Sequence, residues 1–140
     1  MMGGTLKIKT AKDEMIFWSA VLALALVLGF QMALGQDDLF QKGKEIFTEI
    51  CMDCHRANGQ GLPGIFPALD RDPFILGAPE PVIATVLQGR QGNLGQMPTW
   101  KDKLSDEQIA AVVTYIRQAW SNKAAGVTPA MVAEIRKKAK

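Results

Sequence analysis

The residues best equipped for chemistry stand together. The 140-residue chain holds two cysteines and one histidine, and all three fall within five consecutive positions, Cys51-Met52-Asp53-Cys54-His55. Two thiols spaced by two residues can each form a thioether to one of the two vinyl groups of a haem. The next residue then lies under the ring, with its imidazole directed at the iron. Cys-x-x-Cys-His is the attachment pattern of haem c, and it assigns Cys51 and Cys54 as attachment residues and His55 as the proximal ligand.

Three rival readings fare worse. A Cys51–Cys54 disulfide would close only a tiny loop and leave His55 unexplained. A zinc site needs a fourth protein ligand, and the chain has no further Cys or His to complete a usual set. A thioredoxin-like redox pair expects a βαβ context, which the hydropathy pattern does not offer.

The second axial ligand follows by elimination. With a single histidine, this chain cannot supply bis-histidine ligation. Beyond residue 36 there are three methionines. Met52 lies inside the attachment motif and Met131 in a basic C-terminal segment. Met97 remains, in the loop Gly92-Asn93-Leu94-Gly95-Gln96-Met97-Pro98, as the expected thioether ligand. A His/Met pair raises the potential of a haem.

Such a group needs elements to position it. Asp37 or Asp38 can cap a helix running to about Ile50, with Leu39, Phe40, Gly43, Ile46, Phe47 and Ile50 on one face. Gly43 on that face marks either close approach of another backbone or a tolerated surface glycine. From Ala57 to Ala78 the glycines and prolines exclude a long helix or a central strand. Pro81 fits the first position of a short helix through Gln88, closed by Gly89. Ser105 and Gln108 form a capping-box signature, followed by the apolar stripe Ile109, Val112, Val113, Ile116 and Trp120. Thr128-Pro129 opens a last, basic helix. The pattern predicts an all-α domain of three or four helices and long loops, with a core too thin without a large apolar cofactor.

The N-terminal part is different. Residues 15–36 contain no Asp, Glu, Lys or Arg, and Lys7, Lys9 and Lys12 precede them. Such a run matches the thickness of a bilayer core and predicts a transmembrane helix, with residues 1–14 cytoplasmic and the rest beyond the cell inner membrane. The alternative is a secreted soluble form after cleavage at Ala33-Leu34-Gly35. The net charge of +2 is uninformative as a total. Residues 37–127 carry nine Lys/Arg against eleven Asp/Glu, and residues 128–140 four against one. No basic stripe with interleaved aromatics points to nucleic acid. The expected division is an N-terminal segment 1–14, an anchor 15–36, a haem domain 37–122 and a basic helical tail 123–140.

The haem domain resembles class I cytochromes c over about residues 38 to 122. The likeness rests on the attachment motif, on Gly59-Gln60-Gly61-Leu62-Pro63-Gly64-Ile65-Phe66-Pro67-Ala68-Leu69, and on Met97-Pro98 followed by Trp100. It extends to Ser105-Asp106-Glu107-Gln108-Ile109-Ala110, Tyr115-Ile116-Arg117, Trp120 and Asn122. The resemblance implies that Gly43 and Phe47 meet the helix carrying Tyr115. It also implies that the Pro67 carbonyl accepts the second imidazole N–H of His55. Trp100 would lie near a propionate or the ring edge, or pack in the core. The implied activity is one-electron transfer by one covalently bound haem c, not catalysis. The partners expected are membrane lipid and either a cytochrome or copper protein or the other subunits of a respiratory or photosynthetic complex, such as alternative complex III, an oxidase or a dehydrogenase. Two other classes are set beside it: a peroxidase or gas sensor in which Met97 leaves the iron, and a scaffold in which the haem chiefly folds the domain.

Overall fold

The computed structural model describes residues 11–92 and 95–139, and side chains throughout these except at residues 11, 13 and 28–36. Lys7, Lys9, Asn93 and Leu94 therefore lie outside what is described, as do the side chains of the cleavage signal at 33–35. The chain divides into two units, Met1–Gly35 and Gln36–Lys140.

In the first unit, helix α1 (Ala11–Ile46) begins. Its described apolar side chains are exposed, Met15, Ile16, Phe17 and Trp18 each by 60% or more. Ser19 Oγ donates to the Ile16 carbonyl at 2.8 Å, hiding its one polar group on the helix itself. Among the described residues no helix is long and apolar enough to cross a membrane. The charge-free run continues into 28–36, whose side chains are not described, so the expected span rests on sequence alone.

In the second unit, the expected cap at Asp37 or Asp38 is absent, because α1 runs through these positions unbroken to Ile46. A lone glycine such as Gly35 costs a helix about 1 kcal/mol, too little to end it. A π-helical turn, Phe47–Cys51, and a short helix α2, Met52–His55, follow. The segment expected to be irregular contains one further turn of helix, α3 (Pro73–Leu76). The Asp72 carboxylate starts it, accepting from Phe74 N at 2.8 Å and Ile75 N at 3.2 Å. Helix α4 (Pro79–Gln88) begins two residues earlier than expected, since Pro79 rather than Pro81 takes the first turn. It ends as expected at Gly89, whose φ of 73° lets its N–H return to Thr85 O at 2.9 Å. Two-residue strands β1 (Arg90–Gln91) and β2 (Gln96–Met97) pair antiparallel, with Arg90 opposite Met97.

Helix α5 (Asp106–Gln118) carries the capping box read from sequence: Gln108 N donates to Ser105 Oγ, and Ser105 N to Gln108 Oε1. It stops before Trp120, which was expected to continue the stripe. Trp120 instead adopts φ 56° and turns its ring under the loop after the cysteines, donating Nε1–H to Ala57 O at 2.9 Å. Asn122, fully buried, closes the end of α5. Its amide donates to Leu69 O and Ile116 O, and its carbonyl accepts from Arg71 N.

The last helix, α6 (Pro129–Lys138), is the basic helix expected after Thr128-Pro129. It belongs to the same unit as α4 and α5, with Val132 fully buried and Met131 and Ile135 packed on the core. Of its basic residues Lys137 and Lys138 are exposed, whereas Arg136 is half-buried.

The core centres on α5, where every residue from Ile109 to Arg117 is buried. Gly43 of α1 is where another backbone comes close. A Cβ there would overlap the Ala111 carbonyl and lie 2.8 Å from Tyr115 Cβ. Phe40 and Phe47 flank the contact, with ring centroids 5.1 and 5.3 Å from Tyr115. Trp120 completes the cluster, 5.4 Å from Phe47. Gly43→Ala is therefore expected to destabilise the domain by about 1–3 kcal/mol, the usual cost of forcing atoms into packed backbone. A denaturant melt of the holoprotein that gives an unchanged midpoint would show that α1 and α5 do not meet here.

Candidate functional site

The elements around the cysteines place them by backbone geometry. The π turn ends on Cys51, and α2 carries Cys54 and His55. Such a turn widens the helix by one residue and is frequent at functional sites. Arg56 takes φ 64°, which ends α2 directly after His55. The chain then folds back beneath the histidine: Gly61 N donates to His55 O at 3.0 Å, and Leu69 N to Gly59 O at 2.7 Å. Gly61 sits at φ 61°, against the Phe66 and Pro67 carbonyls, where a Cβ would overlap both.

That approach delivers the Pro67 carbonyl to the imidazole, as the resemblance implies, with His55 Nδ1 3.1 Å from Pro67 O. A carbonyl only accepts, so Nδ1 carries the proton and donates. In the neutral ring the lone pair then lies on Nε2, free for a metal. Burial lowers the His55 pKa from its ordinary value, opposed in part by the bond to Pro67. Burial thus favours the neutral ring, the form that ligates.

Cys51 and His55 line a cavity of about 400 Å³ together with Pro67, Met97 and Trp100. That volume is ordinary for a cofactor site. Five of the six residues singled out from the sequence thus share one cavity. Cys54, half-buried on α2, is not among its lining. Met97 is presented by β2, and Gly89 leaves room for its carbonyl, which a Cβ there would overlap. Trp100 both lines the cavity and packs on the core. Its N–H donates to Val86 O, and the Lys103 ammonium lies 5.3 Å above its ring.

The remaining walls are mostly apolar, and sequence reading had not assigned them to the site. Val82 and Val86 of α4 line the cavity, as do Val112 and Ile116 of α5 and Ile75 of α3. Ile83 and Leu87 of α4 are fully buried. The signal was present in the near-continuous apolar run of α4, which is wider than one packed face requires. Phe74 and Arg90, whose guanidinium lies 5.9 Å from the Phe74 ring centroid, come from segments with no periodic pattern.

The electrostatics select among donor chemistries. Burial, with a smaller contribution from Cys54, pushes the Cys51 thiol up to about 12. The site thus disfavours a thiolate, whereas a thioether sulfur carries no charge to desolvate. Among the described residues no three His, Cys, Asp or Glu side chains cluster as a metal site of their own. An uncharged sulfur, a neutral imidazole with Nε2 free, a methionine and apolar walls together fit haem c.

Known proteins agree with that fit. The family model described as "Cytochrome C oxidase, cbb3-type, subunit III" matches residues 38–116. Cytochrome c-552 of Thermus thermophilus is 34% identical over 128 residues, covering 81% of this chain and 82% of that protein. The gluconate 2-dehydrogenase cytochrome c subunit of Pantoea cypripedii is 35% identical over 115 residues, 75% of this chain but only 26% of the longer relative. The cbb3-type cytochrome c oxidase subunit FixP of Bradyrhizobium diazoefficiens is 33% identical over 84 residues, 59% of this chain and 28% of its own. A solved structure, the c-type cytochrome XoxG of Methylobacterium extorquens AM1, aligns over 73% of this chain and 67% of its own at 21% identity, with a TM-score of 0.47. With more than half its length matched by the family model and one relative of similar size matched nearly throughout, the chain belongs to the cytochrome c family, as a class I monohaem c-type cytochrome that carries electrons on covalently bound haem c.

Proposed function

We propose that the chain is a membrane-anchored one-electron carrier in which Cys51 and Cys54 would hold haem c covalently and His55 and Met97 would ligate its iron. The observation that carries this reading is that Cys51, His55 and Met97 line an apolar cavity together. Haem c bound there supplies a couple that takes up and gives back one electron.

The side chains do the rest. His55 offers Nε2, and Pro67 fixes its ring through Nδ1–H and makes it a better donor. Met97 offers a soft thioether that favours the reduced state. With His55 and Met97 both committed as ligands, haem c would offer no place to a substrate, which suits transfer rather than catalysis. The valines and isoleucines of α3, α4 and α5 exclude water from the ring. Trp100, packed between cavity and core, stiffens the wall beside Met97.

The charge-free run 15–36 supports a single-pass anchor in the cytoplasmic membrane, with the haem domain on its outer side. Relatives named as cytochrome subunits of gluconate and alcohol dehydrogenases and of a cbb3-type oxidase support a place beside other subunits of a dehydrogenase or oxidase complex. An anchor confines the carrier near its donor and raises its effective concentration there.

Replacing the proposed axial ligand tests the site. Met97→Ala is expected to abolish the near-red charge-transfer absorption of the oxidised protein and to lower its potential, while colour still survives acid–acetone extraction. An unchanged spectrum would assign the position to another ligand. Membrane fractionation tests the anchor: the whole chain should sediment with membranes until detergent is added, and a chain starting at Asp37 behind a cleavable export signal should not. A whole chain found in the soluble fraction would remove the anchor.

A further inference from the structure

We propose that Arg136, on the last helix, is a positioning residue for the axial methionine: it braces the cavity wall that runs from Met97 to Leu104. This rests on the reading of Met97 as a ligand. Helix α6 lies beyond the residues matched by the family model, which end at 116, and its basic character has no part in the function described so far.

The wall has two anchorages. Its inner side is tied to the end of α4: Thr99 Oγ1 donates to Leu87 O at 2.7 Å, Lys101 N to the same carbonyl at 3.1 Å, and Trp100 N to Val86 O at 3.3 Å. Its outer side is tied to α6 by one guanidinium. Arg136 Nη2 donates to Leu104 O at 2.9 Å, Nη1 donates to Lys101 O, and Nε donates to the Asp106 carboxylate at 2.7 Å. Between Lys101 and Leu104 the chain makes a tight turn, with Lys103 N and Leu104 N both donating to Trp100 O at 3.0 Å. Trp100 and Leu104 line the cavity with Met97.

The fork of Arg136 thus spans the two ends of the turn that carries this wall, and the third bond fixes that turn to the first residue of α5. The guanidinium is about a quarter exposed, as is its carboxylate partner, so the bonds are partly shielded from competing water. Helix α6 is held in place independently. Val132 is fully buried, and Thr114 Oγ1 meets both the N–H and the carbonyl of Val127 ahead of the helix. A rigid helix therefore supports the outer side of a loop that would otherwise be held from one side only. A methionine is a weak ligand, so the stiffness of its loop decides how readily an outside ligand displaces it.

The test uses the holoprotein and imidazole as the probe. The wild type is first examined for the methionine charge-transfer band, and imidazole is then titrated against that band. Arg136→Ala should let imidazole displace the methionine at roughly tenfold lower concentration, the weight of one charge-assisted hydrogen bond. Arg136→Lys keeps the charge facing Asp106 but cannot bridge two carbonyls, and should fall between the two. If the alanine variant gives no holoprotein, the lysine variant carries the test. Val132→Ala, which thins the packing of α6 without touching the guanidinium, should lower thermal stability yet leave the imidazole titration at the wild-type value. A wild type with the band whose Arg136 variants titrate like it, or like Val132→Ala, overturns the brace alone. A wild type without the band overturns the ligand reading and the brace with it.

Discussion

The rest of the site depends on a single hydrogen bond from His55 Nδ1 to the Pro67 carbonyl. It fixes which ring nitrogen holds the proton, and hence which is left to donate. To make it, the backbone must reverse after His55 and return within twelve residues. Arg56, Gly59, Gly61 and Gly64 all take positive φ along that path. The reversal also explains why a glycine stands at 61, where two carbonyls leave no room for a side chain. The conformational constraint on this loop and the protonation state of the imidazole are one requirement expressed at two scales.

A second requirement is dryness. Much of the apolar wall of the cavity comes from α3, α4 and α5, and the same helices contribute to the core. Val82 and Val86 face the cavity one turn apart, while their neighbours Ile83 and Leu87 are sealed among other side chains. Helix α4 is thus apolar on two faces, and α5 is buried along most of its length for the same reason. The aromatic cluster of Phe40, Phe47, Tyr115 and Trp120 closes the structure where α1 meets α5.

What could be read from the sequence follows the range of the interactions. The attachment motif, the Ser105 capping box and the stop at Gly89 are local, and residues within a few positions of one another declare them. Gly43 was ambiguous, because its partner Ala111 lies far along the chain and the residue alone cannot name it. The strand pair at Arg90 and Met97 has two residues a side, too few for any alternation. The packing of α6 is not legible for a related reason: Arg136 finds its partners some thirty residues upstream, and a basic residue looks the same on a solvated helix face as on one that meets a loop. Trp120 kept to the helical spacing, yet its positive φ takes it off the helix, since its indole is drawn to Ala57 O.

Arg117 bears on how the molecule comes apart. Its guanidinium is buried, and it spends its donors on the carbonyls of Ile75, Gly77 and Ala125. The segments that supply these carbonyls lie on either side of α5 in sequence, and Arg117 ties both of them to that helix. If either segment swings away, a sequestered cation loses carbonyl acceptors. Half-opened forms are therefore costly, and the two segments should loosen in concert. A charge without a carboxylate at bonding distance in this way sharpens cooperativity, turning what could be gradual fraying into one all-or-none event.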